Sequence, residues 1–496
     1  MILLRNFLVR GSSRQFFNGA ANKLARNPML KSASFSSIAR TNVANGTNVS
    51  NLLLSLNKSR NVHTSRILKQ SSTILADSIG NSSRTNAKQL LSSKIVGYWL
   101  IGTSGLVFGI VILGGLTRLT ESGLSIVEWK PVTGAIPPLN QEEWEKEFEK
   151  YQTSPEFKEL NSHIDIDDFK FIFFMEWFHR LWGRGIGVVF ILPAIYFAAT
   201  KKTTSHVNVR LFGLTCLLGL QGVIGWWMVY SGIDKKQLDE RKSKPTVSQY
   251  RLTTHLGAAF CLYMGMIWTG YNILREIKLV GNPRKALETI KLLDSSKILK
   301  LRKASIHMLL FTFLTAMSGG MVAGLDAGLI YNSFPKMGAT WFPSSRELMD
   351  PNYARAADKS DLWWRNLFEN PTTVQLIHRI LGVSTFCAVF GLHMVCVKKK
   401  HLIPKSANNT VRAMMGLVTL QVALGISVLI YIVPVSLAAI HQAGALALFT
   451  SSVVFAAQMR KPRLPVRNVI TVLNKQLDSK TAQKGSKILS EAAKFK

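Results

Sequence analysis

No aspartate or glutamate occurs before Asp77, although Arg5, Arg10, Arg14, Lys23, Arg26, Lys31, Arg40, Arg60 and Arg66 lie in that stretch among Ser, Asn and Leu. A basic, acid-free, hydroxyl-rich leader has the composition of a mitochondrial transit peptide. MILLRNFLVR is broken by Arg5 and Arg10, so it lacks the unbroken apolar core of a secretory signal. Cysteine is scarce: the four residues Cys216, Cys261, Cys387 and Cys396 all fall in apolar runs, with no CxxC pair. That excludes a disulfide framework and a zinc site, and leaves the cysteines as small core residues. No basic helix with interleaved aromatics stands apart from the apolar runs. The net charge of +33 therefore does not point to nucleic acid.

What the chain does have is long apolar runs, several meeting the roughly 20 residues needed to cross about 30 Å of hydrocarbon. Spans are expected near Ile95–Leu116, Phe171–Ala199, Leu211–Tyr230 and Leu252–Tyr271, then Ala304–Leu325, Val374–Val397, Val411–Val433 and Ser436–Ala457. Lys201-Lys202, the stretch 275–303, Lys398-Lys399-Lys400 and Arg460-Lys461 follow the even-numbered spans. The positive-inside rule then puts both termini and these loops in the matrix, and the loops 118–170 and 326–373 in the intermembrane space. Both long loops are rich in Gly, Pro and Trp and read as ordered caps, with QEEWEKEFEKY as a short interfacial helix.

The two halves repeat. Gly114-Gly115 answers to Gly319-Gly320, His179-Arg180 with Gly183 to His378-Arg379 with Gly382, and Gln221 with Gly225 to Gln421 with Gly425. From histidine to glutamine is 42 residues in one half and 43 in the other. His255 and His441 fall in the fourth span of each half. Because four spans return the chain to the same side, an approximate two-fold axis along the membrane normal is expected. The fold class is thus an all-α integral membrane protein, with eight transmembrane helices as two pseudo-two-fold-related four-helix bundles. By residue number the chain divides into a leader (1–75), an N-terminal half (94–275), a basic matrix linker (276–303), a C-terminal half (304–460) and a matrix tail (461–496).

Ionisable side chains in hydrocarbon cost several kcal/mol unless paired or ligated, so four histidines in register with a repeat call for metal ligation. Imidazole suits haem iron, and a flat apolar macrocycle fits between helices of a bundle. The simplest pairing is His179 with His255 and His378 with His441. Each histidine comes early in its span, which puts both sites beneath the long loops. There Arg118, Arg180, Arg379 or Trp side chains could meet haem propionates. The remaining histidines, among them His63, show no pairing. Glu176 stands three residues before His179, where the other half has Gln375. That spacing turns the carboxylate toward the first site, fitted for proton transfer or for stabilising a cationic intermediate, the alternative being a salt bridge to Arg180. The glycines of GRGIGVV, Gly183, Gly185 and Gly187, read as tight helix packing rather than a dinucleotide fingerprint.

GGLTRLTESGLSIVEWKPVTGAIPP, EWFHRLWGR, TTHLG, GLDAGLIYNSFPKMG, QLIHRILG and AIHQAGA together resemble the haem A synthases of mitochondria and alphaproteobacteria, over about Lys94–Arg460. The resemblance implies oxidation of a methyl substituent of haem O to the formyl group of haem A, for cytochrome c oxidase. It implies a retained haem b between His378 and His441, a substrate haem between His179 and His255, and a catalytic role for Glu176. It also implies ferredoxin and its reductase as electron source, haem O synthase as supplier, and an inner-membrane location in contact with lipid. Homo-oligomerisation is left open. The cysteine pairs that some bacterial members carry in outward loops are absent here, so a thiol mechanism is not implied. The rival readings are a non-enzymatic di-haem electron carrier, disfavoured by one ligand per helix, and a repeat-built transporter, disfavoured by informative residues clustered near one surface.

Overall fold

The structure, a computed structural model, describes residues 90–492 apart from 131, 132 and 242. The leader 1–75 and His63 lie outside the described residues. In chain order the longer helices are α1 (Lys94–Leu119), α2 (Gln141–Gln152), α3 (Ile166–Ala199), α4 (Ser205–Ile233), α5 (Gln249–Gly281), α6 (Pro283–Asp294), α7 (Leu299–Gly324), α8 (Leu362–Glu369), α9 (Pro371–Lys398), α10 (Lys405–Ile430), α11 (Val435–Met459) and α12 (Leu464–Ala492). Seven of them, α1, α3, α4, α7, α9, α10 and α11, are long and apolar enough to cross a membrane.

The eighth expected span is α5, which has the length, 33 residues, but not the same apolar composition. Thr253, Thr254, His255, Trp268, Thr269 and Asn272 dilute it. Its surroundings account for this, because α5 packs against α1, α4, α7 and α11. It buries Phe260, Leu262, Tyr263, Met266 and Thr269 among them. A helix clothed by other helices meets little lipid and so can carry polar groups that find partners. Tyr263, for instance, shares a 2.7 Å hydrogen bond with Thr450 of α11.

Helices α1, α3, α4 and α5 touch in succession, with α5 closing on α1, and α7, α9, α10 and α11 do likewise. Small residues allow the closest approaches, as expected where lipid tails supply no hydrophobic drive for helix association. A side chain at Gly270 would meet the Gly97 carbonyl at 2.9 Å, and one at Gly115 would overlap Gln442. The glycines expected to pack tightly in α3 do not. Nothing lies within 4 Å of a side chain built at Gly185 or Gly187, and Gly183 is at an ordinary 3.5 Å from Ile110. Gly185 and Gly187 thus pack against no neighbouring helix, which spacing alone does not reveal. Two cysteines, Cys216 and Cys387, also point outward rather than into the core, while Cys396 is buried.

At the basic end the linker and tail are helical. The Ala286 and Ile290 side chains of α6 pack on Val466 and Ile470 of α12. Arg463 makes a two-pronged ion pair with Glu276. Arg275 donates to the carbonyls of Ala457, Gln458 and Arg460, satisfying the exposed end of α11.

At the opposite end α1 and α7 stop alike, with Glu121 (φ 51°) and Asp326 (φ 52°) in the left-handed conformation two residues past the helix. The expected interfacial helix is α2. Its Trp144 packs on Phe173 at 5.1 Å, and Phe148 and Tyr151 pack on Phe169 at 5.1 and 5.2 Å. Under this aromatic cluster Glu156, only 4% exposed, accepts a 3.1 Å hydrogen bond from the Tyr151 hydroxyl. Burial above all, reinforced by Glu176 and Glu121, pushes the Glu156 carboxyl up to about 8.

A carboxyl raised in the folded state binds more protons there than in the unfolded chain, so its contribution is fully present below its ordinary value and is lost as pH rises toward 8. Wild-type protein should therefore lose thermal stability between about pH 5 and pH 8, and Glu156→Gln should flatten that decline by a few degrees in the melting midpoint. Parallel pH profiles of the two proteins would contradict this.

Candidate functional site

Each of the four histidines stands on a glycine of the preceding long helix. A side chain built on Gly114 of α1 would lie 3.1 Å from His179 Nε2, and one on Gly225 of α4 would lie 3.3 Å from His255 Cε1. The same holds for Gly319 of α7 under His378, at 3.2 Å, and Gly425 of α10 under His441, at 3.1 Å. All four distances are shorter than ordinary van der Waals contact, so a side chain at any of these glycines would press on the ring. This explains why the glycines and the histidines repeat together.

The His378 and His441 ring centroids are 6.5 Å apart, with the planes at 89°. An iron held at about 2 Å from one nitrogen of each ring would set the centroids about 6 Å apart, so the pair fits a haem iron ligated from both faces. Ser318 lies 2.7 Å from His378 Nδ1, which fixes the ring and leaves Nε2 for a metal. His441 Nδ1 is buried without a partner among the described residues. The Gln421 amide donates to the His441 carbonyl at 2.8 Å.

In the first half His179 stands on α3 and His255 on α5. His255 Nδ1 and both amide atoms of Gln221 are buried without partners among the described residues. Buried polar atoms are almost always satisfied in a working protein. A polar ligand between these helices fits them. Among the described residues no three His, Cys, Asp or Glu side chains converge, so histidine pairs are what these bundles offer a metal.

Glu176 is 3% exposed. Its Oε1 receives Arg180 Nη2 at 2.6 Å, and its Oε2 accepts from the Ser125 hydroxyl at 2.8 Å and the Ile126 amide at 2.9 Å. The salt bridge to Arg180 is thus formed, and the carboxylate also pins the loop after α1 over the site. Arg180 donates to the Ile126 and Glu128 carbonyls as well. In the second half Gln375 does the corresponding work without charge, donating to the Ala327 and Tyr331 carbonyls at 2.8 and 3.2 Å. Arg379 again holds Tyr331. Arg118, one of the side chains offered for a propionate, pairs with Asp326 at 2.8 Å. Sequence reading gave no role to Ser125, Ser318 or Gln442. Of these only Ser318, directly before a repeated glycine, left a local signal.

Gly319→Val should displace His378, abolish the spectrum of a doubly imidazole-ligated haem at that site and roughly halve the haem retained per chain. Gly102→Ala, in the same type of helix but with nothing within 4 Å, serves as the control. Full haem retention by Gly319→Val would show that the glycine does not position the ligand.

Comparison with known proteins fits this geometry. Residues 97–453 match the family described as cytochrome oxidase assembly protein. The chain is 65% identical over 425 residues to "Heme A synthase COX15" of Saccharomyces cerevisiae, covering 86% of this chain and 87% of that protein. It is 44% identical over 451 residues to "Heme A synthase-mitochondrial ferredoxin fusion protein" of Schizosaccharomyces pombe, covering 90% of this chain and 73% of that one. With the human "Heme A synthase COX15" it shares 42% identity over 370 residues, 75% of this chain and 84% of the other. A multi-pass helical membrane protein with paired histidines and this degree of likeness belongs to the haem A synthase family.

Proposed function

We propose that the protein oxidises the methyl substituent of haem O to the formyl group of haem A, with haem O held between His179 and His255 and a resident haem b between His378 and His441. The observation that carries the assignment of the two sites is a difference in charge between them, Glu176 in the first half where the repeat has Gln375 in the second. Converting a methyl to a formyl group replaces two C–H bonds by a C=O bond, so an oxygen atom enters from water or dioxygen while protons leave the carbon, and only the first-half site has an ionisable group on the ligand's own helical face. Glu176 can accept a proton or stabilise developing positive charge there. Arg180, Ser125 and the Ile126 amide hold it in place and bind the outer loop down, keeping water from the substrate. Haem b, when bound, supplies one-electron redox chemistry.

The electron source is read as a ferredoxin with its reductase, a reading supported by the Schizosaccharomyces pombe relative whose name is that of a ferredoxin fusion. Haem O synthase supplies the substrate. The arrangement is read as eight spans with α5 as the fourth, in two halves (94–275 and 304–460) about a pseudo-two-fold axis. The paired glycine–histidine contacts and the matched left-handed residues Glu121 and Asp326 support it. The basic loops favour a mitochondrial inner-membrane protein with both termini in the matrix, and the leader 1–75 is read as its transit peptide.

Glu176→Gln should retain both haems while haem A formation falls roughly 100-fold or more, read by chromatography of the extracted haems. Normal haem A accumulation would remove Glu176 from the mechanism. In wild-type protein, the reduced-minus-oxidised spectrum should report haem b, and the extract should contain haem O or haem A beside it. Haem b alone at two per chain would favour the electron carrier.

A further inference from the structure

The two halves also differ at the basic end, away from the histidines. In α1 the Trp99 ring packs on Phe190 at 5.2 Å and on Phe197 at 5.3 Å, and its Nε1 donates to the Val189 carbonyl at 3.0 Å. These three rings fill the cleft between α1 and α3. The register that sets Gly114 against Gly319 sets Trp99 against Ala304, and the register of His179 and His378 sets Phe190 against Val389 and Phe197 against Cys396. Where the first half has three rings, the second has three small side chains.

Val389 and Cys396 are buried in the core with side chains of α10 and α11, whereas Ala304 borders a groove of about 760 Å³ between α7 and α9, lined also by Met308, Phe311, Leu314, Ala388 and Leu392. A 2.8 Å hydrogen bond between Thr315 and Thr385 closes it toward the histidines. Leu310 and Leu314 are 54% and 47% exposed, so its long side is open to surrounding lipid. From Ala304 to Leu314 it follows ten residues of α7, about 15 Å, the depth of one leaflet of a bilayer whose core is about 30 Å thick.

At the other end stand Lys297, Lys300 and Lys399. None of these lysines forms an ion pair among the described residues. Asp294, the acid nearest to them in sequence, is already engaged by Lys461 and Arg467. An apolar channel of leaflet depth accepts an acyl chain of any phospholipid. Three unpaired ammonium groups at its mouth require a headgroup with net negative charge. We propose that this groove is a binding site for one anionic phospholipid, its acyl chain along Phe311 and Leu314 and its phosphate among Lys297, Lys300 and Lys399.

The test titrates the intact, haem-loaded protein in neutral detergent with phosphatidylglycerol or, in parallel, phosphatidylcholine, and counts bound lipid by native mass spectrometry. Phosphatidylglycerol should be retained at one molecule per chain in preference to phosphatidylcholine. The triple variant Lys297→Gln, Lys300→Gln, Lys399→Gln should bind it roughly tenfold more weakly or worse. Ala304→Trp, which fills the groove as Trp99 fills its counterpart, should expel it with haem content and spectrum unchanged. Equal retention of the two lipids, or wild-type binding by the triple variant, would overturn the proposal. So would an Ala304→Trp protein that keeps its lipid but changes oligomeric state or affinity for haem O, because the occupant would then be a second copy or the isoprenoid tail of the substrate.

Discussion

Everything distinctive in this molecule depends on seating an imidazole against bare backbone. A histidine inside hydrocarbon is costly, and one poised for a metal must leave a ring nitrogen free while being held from the other sides. Here the support is a glycine on the preceding long helix, four times over. Glycine costs a helix about 1 kcal/mol relative to alanine, a sacrifice that packing returns only if the ring lies flat in the notch. Each contact brings the histidine's helix against the helix before it at the level of the ring.

Above the histidines, the same backbone plan is executed with different charge. In both halves a side chain three residues before the histidine and an arginine directly after it grip the loop that follows the first helix. The second half does this with neutral Gln375 and the first with Glu176. A carboxylate here is neutralised locally by Arg180 and fixed by two hydrogen bonds, so it can be deeply buried without disrupting the bundle. The repeat therefore differs in charge at this position, a neutral amide in the second half and a carboxylate paired with Arg180 in the first.

Much of this was legible in the amino-acid order. The run Ile95–Leu116 became the helix Lys94–Leu119, and QEEWEKEFEKY became the helix Gln141–Gln152. The repeated Gly114 and Gly319, Gly225 and Gly425 proved to be the residues under the rings. What spacing could not tell was facing: Gly185 and Gly187 look like packing glycines but meet nothing within 4 Å. The ion pair of Glu176 with Arg180 is local and was visible as an alternative, whereas Ser125 and Ile126 arrive from a loop some fifty residues earlier. The helices α6 and α12 bury each other through sparse apolar positions, a pattern that a search for long apolar runs passes over. Likewise α5 is less apolar than its neighbours because its neighbours, not lipid, surround it.

The two sites are not private to their halves. Gln442, next to His441, occupies the space over Gly115, the neighbour of the glycine under His179, and donates to the Val111 carbonyl at 2.8 Å. Leu256, next to His255, lies against Gly320, the neighbour of the glycine under His378. The residue after His255 and the residue after His441 thus each abut the glycine pair that seats a histidine of the other half. Such reciprocity ties the mutational histories of the two sites together: a bulkier residue at either glycine demands a compensating change in the opposite half, so paired rather than single replacements are the accessible steps by which this scaffold can drift.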